Sequence, residues 1–320
     1  MKEGILVKYI IIVAALFLTI GLSLFFGGTA ELNEYIFYAI RLPKSITAFA
    51  AGASLAVAGL ILQIIFRNPL AGPYVLGISS GASLAVALIT MGGTAFGLVQ
   101  SQIGSKSIIL LASVLGSLAI MLVILILAKK INRNVILLLI GIMIAHFCGA
   151  FQGGLSYFAN PGELKSFVMW SLGSLSDTTL LDSILFFSLS SFFIFSVFLY
   201  AKPLQAFLMG QNYTVASGIN YAKKRFGLIF ISSALTGITT AFCGPIAFVG
   251  ISVPLIARIV FKTANQSIQI SASIIIGATL VLFSDVICHL FPDFTFPINM
   301  ITTLLGAPFV IYLLLKSKNI

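Results

Sequence analysis

Charge is what this sequence has least of. Only 8% of its 320 residues are Asp, Glu, Lys or Arg, about a third of the share in an ordinary globular chain. So few charges cannot screen a chain that is 59% hydrophobic from water. A soluble enzyme, a nucleic-acid-binding domain and a disordered chain are excluded. Cysteine is scarce too. Cys148, Cys243 and Cys288 all lie in apolar runs, are odd in number and lack CxxC spacing, so neither a disulfide framework nor a zinc site is implied. No Walker A loop is present. Gly104-Ser105-Lys106-Ser107 is superficially similar, but it lacks the upstream glycine and the Gly-Lys pair. HExxH is also missing. The chain is expected to be no enzyme, with no ATPase of its own, no metal site and no cofactor.

What is abundant is long apolar sequence, with a mean hydropathy of +1.14. Runs such as 108–128 and 184–200 are unbroken, whereas barrel strands alternate apolar and polar residues. A spanning helix needs about 20 apolar residues. The runs predict an all-α polytopic membrane protein with about ten transmembrane helices. They fall at about 8–27, 45–65, 76–92, 107–128, 134–154, 182–201, 226–243, 247–261, 270–290 and 298–315. The 247–261 span is short enough to be tilted or partly re-entrant. The first run follows Lys2 and Lys8, as a signal peptide would. At 18 residues it exceeds the usual 7–15 of such a segment and reads as an uncleaved span. The whole chain, 1–320, reads as one transmembrane domain.

The 18 basic residues are distributed unevenly. With the N-terminus inside, Lys2, Lys8, Arg67, Lys129, Lys130, Arg133, Lys202, Lys223, Lys224, Arg225, Arg258, Lys262, Lys316 and Lys318 fall inside. Only Arg41, Lys44, Lys106 and Lys165 fall outside. The positive-inside rule therefore places both termini in the cytoplasm. Two connections are long. The outer one, 157–181, carries the single Trp170 and predicts a short interfacial helix. The inner one, 202–225, is the more polar and is too long for a simple turn. It is where a cytoplasmic partner would grip.

Two segments resemble each other: Gly72-Pro73-Tyr74-Val75-Leu76-Gly77-Ile78-Ser79 and Gly244-Pro245-Ile246-Ala247-Phe248-Val249-Gly250-Ile251-Ser252, with one inserted residue. Near the same offset, the segment ending at Gly141 matches the one ending at Gly306. The similarity predicts an inverted repeat of spans 2–5 on spans 7–10, with a pathway at the repeat interface. Ionisable groups inside spans are few. His146 is in span 5, within the repeat core. Asp285 and His289 share one face of span 9 and are the relay that an ion-coupled carrier would need. The alternative is that Asp285 satisfies a neighbouring polar group near the outer end. Arg41 and Lys44 run against the charge asymmetry and form a candidate outward basic pair for an acidic partner.

Arg41-Leu42-Pro43-Lys44, Arg67-Asn68-Pro69-Leu70-Ala71-Gly72-Pro73, Leu76-Gly77-Ile78-Ser79-Ser80-Gly81-Ala82, Trp170-Ser171-Leu172-Gly173-Ser174-Leu175, Gly244-Pro245-Ile246-Ala247-Phe248-Val249-Gly250 and Leu304-Leu305-Gly306-Ala307-Pro308-Phe309 closely resemble the FecCD/BtuC permeases, in order along essentially the whole chain. These are membrane subunits of ABC importers for iron-siderophores, haem and cobalamin. The resemblance implies ten spans, a second permease copy, cytoplasmic ABC ATPases and a periplasmic or surface substrate-binding protein, in a bacterial plasma (inner) membrane. It implies that Arg41 and Lys44 match the pair that docks the binding protein. It implies that Gly210, Gln211, Asn212, Tyr213 and Gly218 lie in the cytoplasmic coupling segment. Asn134 matches the inner gate, and His146, Gly141 and Gly306 are expected along the pathway. Gln211 stands where the family usually has an acidic residue, Ser217 where leucine is common, and Leu255 where a histidine often follows Val-Pro. A ferric siderophore is the first expected cargo, then haem or cobalamin. The competing readings are an ion-coupled secondary transporter using Asp285 and His289, and a non-transporting receptor.

Overall fold

The computed structural model describes residues 2–25, 33–92, 106–131, 133–290 and 295–317. The end of the first expected span, 26–27, and Lys318 lie outside them, as do Gly104 and Ser105. Among the described residues the regular structure is helical. Ten helices correspond to the expected spans: α1 (Lys2–Phe25), α2 (Leu42–Phe66), α3 (Ile78–Gly92), α4 (Lys106–Lys130), α5 (Asn134–Phe158), α7 (Leu180–Phe198), α10 (Tyr221–Cys243), α11 (Val249–Phe261), α12 (Gln266–Cys288) and α13 (Ile298–Ser317). Seven are long and apolar enough to cross a bilayer, and α3, α11 and α13 are shorter apolar helices.

Three further helices occupy the two long connections. α6 (Pro161–Ser171) is the expected interfacial helix. Asn160 and Glu163 close a capping box at its start and Pro161 sets its first turn. α8 (Ala201–Met209) and α9 (Gln211–Ala216) fill the 202–225 connection.

α2 is the axis of the bundle and is almost wholly buried. Its small residues allow this. A methyl group on Gly52 would overlap the Gly277 carbonyl of α12, and one on Gly59 would overlap Gly250 of α11. The helices therefore cross backbone against backbone, as membrane helices do where van der Waals packing replaces the hydrophobic drive.

The packing partners show the repeat. Exchanging α2–α5 for α10–α13 maps α3–α4 onto α11–α12, α3–α5 onto α11–α13 and α4–α5 onto α12–α13. It also maps α2–α11 onto α10–α3 and α2–α12 onto α10–α4, and leaves α2–α10 in place. Each of these pairs is in contact, so the bundle has the pseudo-two-fold organisation expected of the two halves. In each half the third-from-last helix is short, with 15 residues in α3 and 13 in α11. That is roughly 20 Å, against about 30 Å of hydrocarbon. Each is preceded by an elbow, 72–77 built on a short 3-10 turn (Pro73–Leu76) and 244–248 irregular, that lies mostly buried inside the protein. Such backbone is tolerated at membrane depth only where protein or a cavity surrounds it.

Candidate functional site

The first elbow meets the start of α11 in the bundle. Pro73 packs against Gly250, and a methyl group on Gly72 would lie 2.6 Å from Ile251 Cγ1. Each elbow ends in a left-handed residue, Gly77 (φ 74°) and Phe248 (φ 65°), which turns the chain into the following short helix. Gly141 and Gly306, the glycines expected along the pathway, pack against these turns. A Cβ on Gly141 of α5 would meet the Val75 carbonyl at 2.6 Å, and one on Gly306 of α13 would meet Phe248 Cβ at 2.5 Å. Both are buried packing positions that let the last helix of each half lie against its elbow.

At the lysine-rich end, the last turn of α2 is a junction. Gln63 donates to the Ile251 carbonyl at 3.0 Å, which ties α2 to the first turn of α11. Asn134, at the start of α5, donates to the Ile65 carbonyl and to the Tyr221 hydroxyl of α10. Arg67 terminates α2 in the left-handed conformation, φ 50°. Its Nη2 donates to the Phe207 and Leu208 carbonyls at 3.5 and 3.3 Å. These carbonyls end α8, where the helix dipole favours a cation. A cavity of about 270 Å³ opens among Arg67, Arg133, Asn134, Gln211 and Tyr221. One turn of α2 thus holds α8, the start of α5 and the start of α11 together.

Gly210 joins α8 to α9 at φ 115°, ψ 166°, a region essentially restricted to glycine. A Cβ there would sit 2.5 Å from Arg67 Nη2. Gln211, Asn212 and Tyr213 on α9 are exposed, as is Gly218 after it. The expected coupling residues form one projecting elbow rather than a flexible loop.

At the opposite end the structure places Arg41 and Lys44, the expected outward basic pair, inside the bundle. Arg41 and Lys44 are 1% and 2% exposed. Arg41 Nη1 donates to the Leu24 and Phe25 carbonyls, which lie in the last turn of α1. Lys44 Nζ pairs with Asp285 Oδ2 of α12 at 3.2 Å. Ser23 Oγ donates to the same carboxylate at 3.1 Å and shares a hydrogen bond with Ser45. Lys44 and Asp285 thus satisfy each other's charge inside the bundle. His289 Nδ1 lies 2.9 Å from the Asp285 carbonyl and 3.4 Å from its carboxylate. His289 and Asp285 line a cavity of about 480 Å³ that also exposes Asp177 and Ser174.

His146 stands apart from all of these. It is exposed on α5, on the side that carries Leu139, Met143 and Phe147. Sequence reasoning missed two partnerships, Lys44 with Asp285 and Arg67 with α8. Arg67 lies in a quoted motif directly after an apolar span, and that was its only signal. Nothing local joins Lys44 to Asp285. Among the described residues no group of three His, Cys, Asp or Glu is placed to hold a metal.

Comparison with known proteins covers the whole chain. Residues 5–316 match the model of the FecCD transport family. A probable iron chelatin transport system permease protein of Helicobacter pylori is 30% identical over 281 residues, 88% of this chain and 82% of that one. The molybdate import system permease MolB of Haemophilus influenzae is 31% identical over 296 residues, 90% and 83% of the two chains. A solved inward-facing conformation of a metal-chelate type ABC transporter superposes with a TM-score of 0.85 at 27% identity, covering 98% of this chain and 99% of that one.

Proposed function

The chain belongs to the FecCD transport family, and from that premise we propose that it is the permease subunit of an ABC importer, moving a metal chelate into the cell. The observation that carries this reading is the α8–α9 elbow. It projects from the lysine-rich end, exposes Gln211, Asn212 and Tyr213, and is tied through Arg67 to the central helix α2. A bundle with no nucleotide-binding motif needs an external motor, and this elbow is a rigid handle for one. On this reading the lysine-rich end is cytoplasmic, and separate ABC ATPases seat Gly210–Gly218. Their closure moves α8, and Arg67 passes the movement to the α2 junction. Asn134 passes it on to the start of α5, the inner gate.

A second permease copy covers the apolar face of α5, with Leu139, Met143, His146 and Phe147 between the two copies. A binding protein delivers cargo to the opposite end. There Arg41 and Lys44 act by fixing the ends of α1, α2 and α12 on which it sits. The cargo we propose is a ferric siderophore. The relatives named above carry iron chelatin and molybdate, so selection among cargoes rests largely with the binding protein.

Uptake of radiolabelled ferric siderophore tests this reading. Deleting the chain should abolish high-affinity uptake, and restoring it should recover uptake. Loss of haem or cobalamin uptake instead would move the cargo within the chelate class. Unchanged uptake of all three would contradict the proposal.

A further inference from the structure

We propose that the basic cavity between α4, α9 and α10 is a binding site for the phosphate of an anionic phospholipid. The cavity has a volume of about 690 Å³ and is lined by Ala128, Lys129, Val215, Lys223, Arg225 and Phe226 among others. Gln211 and Val215 of the α8–α9 elbow also line it, so a lipid seated here lies beside the segment that seats the ATPases.

Arg225 is the reason to expect an anion. It is only 3% exposed. Its Nη1 donates to the Ala128 and Ile131 carbonyls at the end of α4, at 3.3 and 2.9 Å. Its Nε and Nη2 are buried, with no hydrogen-bond partner among the described residues. Those two donors form the side edge of the guanidinium, the fork that grips two oxygens of one phosphate or carboxylate. A buried guanidinium with half its donors unpaired is costly. Protein carboxylates do not fill the gap, since no Asp or Glu lines the cavity. Lys129 and Lys223 add charge at its mouth instead, and both are exposed.

The walls say which anion. Ala128, Val215 and Phe226 are apolar, so the cavity pairs a cationic floor with greasy sides, the pattern an amphiphile needs. Lys129 Nζ lies 5.1 Å from the Phe226 ring centroid and Lys224 Nζ 4.9 Å from that of Tyr200. Aromatic rings under snorkelling lysines mark headgroup depth. Basic pockets between spanning helices at this level hold acidic headgroups. A lipid phosphate seated here would bridge α4, α10 and the projecting α9.

Native mass spectrometry of the purified protein in zwitterionic detergent tests the site, with dioleoyl-phosphatidylglycerol and dioleoyl-phosphatidylcholine titrated separately. The expected result is one tightly retained phosphatidylglycerol. Lys129→Ala/Lys223→Ala, at exposed positions, should weaken it roughly 30-fold, since each lysine at a lipid surface contributes about a fivefold affinity. Arg225→Lys, which keeps the charge and removes the fork, should weaken it as well. Lys165→Ala, at the opposite end, should leave it unchanged. Equal retention of the two lipids, or phosphatidylglycerol binding indifferent to the double variant, would overturn the site. Inorganic phosphate at millimolar concentration holding the site against the lipid would overturn the lipid assignment.

Discussion

Replacing Gly210 with leucine should leave ATP hydrolysis by the assembled importer running while transport falls by at least about tenfold. Two separate physical effects act at this residue. At φ 115° and ψ 166° any side chain strains the backbone by about 1–3 kcal/mol. The new Cβ would also press on Arg67 Nη2 from 2.5 Å and displace the guanidinium from the end of α8. A loss of about 1.4 kcal/mol in coupling is already tenfold. Gly218 separates the two effects. It also has a positive φ, 75°, but a Cβ there meets nothing within 4 Å. Gly218→Leu should therefore be the milder variant. Arg67→Ala should uncouple without any steric change at the elbow. The checking measurement is ATPase rate and uptake in the same proteoliposomes. Equal coupling ratios in Gly210→Leu, Arg67→Ala and the unaltered protein would show that the handle transmits its motion elsewhere.

The second large effect concerns Lys44 and Asp285. Both are almost fully buried and 3.2 Å apart. Removing one leaves the other's charge stranded, at a cost of about 3–5 kcal/mol. Lys44→Met or Asp285→Leu alone should sharply lower the thermal unfolding temperature in detergent. The double variant should recover most of the loss, because two apolar side chains of similar volume replace a pair whose desolvation offsets its attraction. Additive losses in the double variant would mean that the two charges do not interact.

The same pair changes how the secondary-carrier alternative must be tested. Asp285→Asn alone is uninformative, since it damages the fold whether or not the carboxylate carries protons. The double variant is the clean test. If it folds and still transports, Asp285 is no relay. If it folds and transport is lost together with sensitivity to a proton uncoupler, the carrier reading gains.

Much of this architecture was legible in the sequence, because the strongest constraint on a membrane span is local. An apolar run must satisfy its own backbone as a helix, so ten runs became ten helices with ends close to those expected. The Gly-Pro elbows were legible for the same reason, as a break in hydropathy that recurs. Gly210 could be placed by resemblance, but not its φ or its contact with Arg67.

The side-chain partnerships were not legible. Arg41 and Lys44 look like surface residues at the mouth of a span, and only the packing of α1 and α12 against α2 buries them. Which charges meet depends on which helices touch, and that is decided by small residues such as Gly52 and Gly277 at distant crossings. His146 shows the converse. In sequence it sits in the repeat core. In the single chain it is exposed on the outer face of α5.

The most direct test of the account is a gentle-detergent purification of the tagged chain, with a cysteine at Tyr213 for crosslinking and mass spectrometry to identify what is held. The account predicts a P-loop ATPase co-purifying with the chain and joined to it through position 213. A chain that comes down alone, or an ATPase that crosslinks nowhere on α8 or α9, would contradict it.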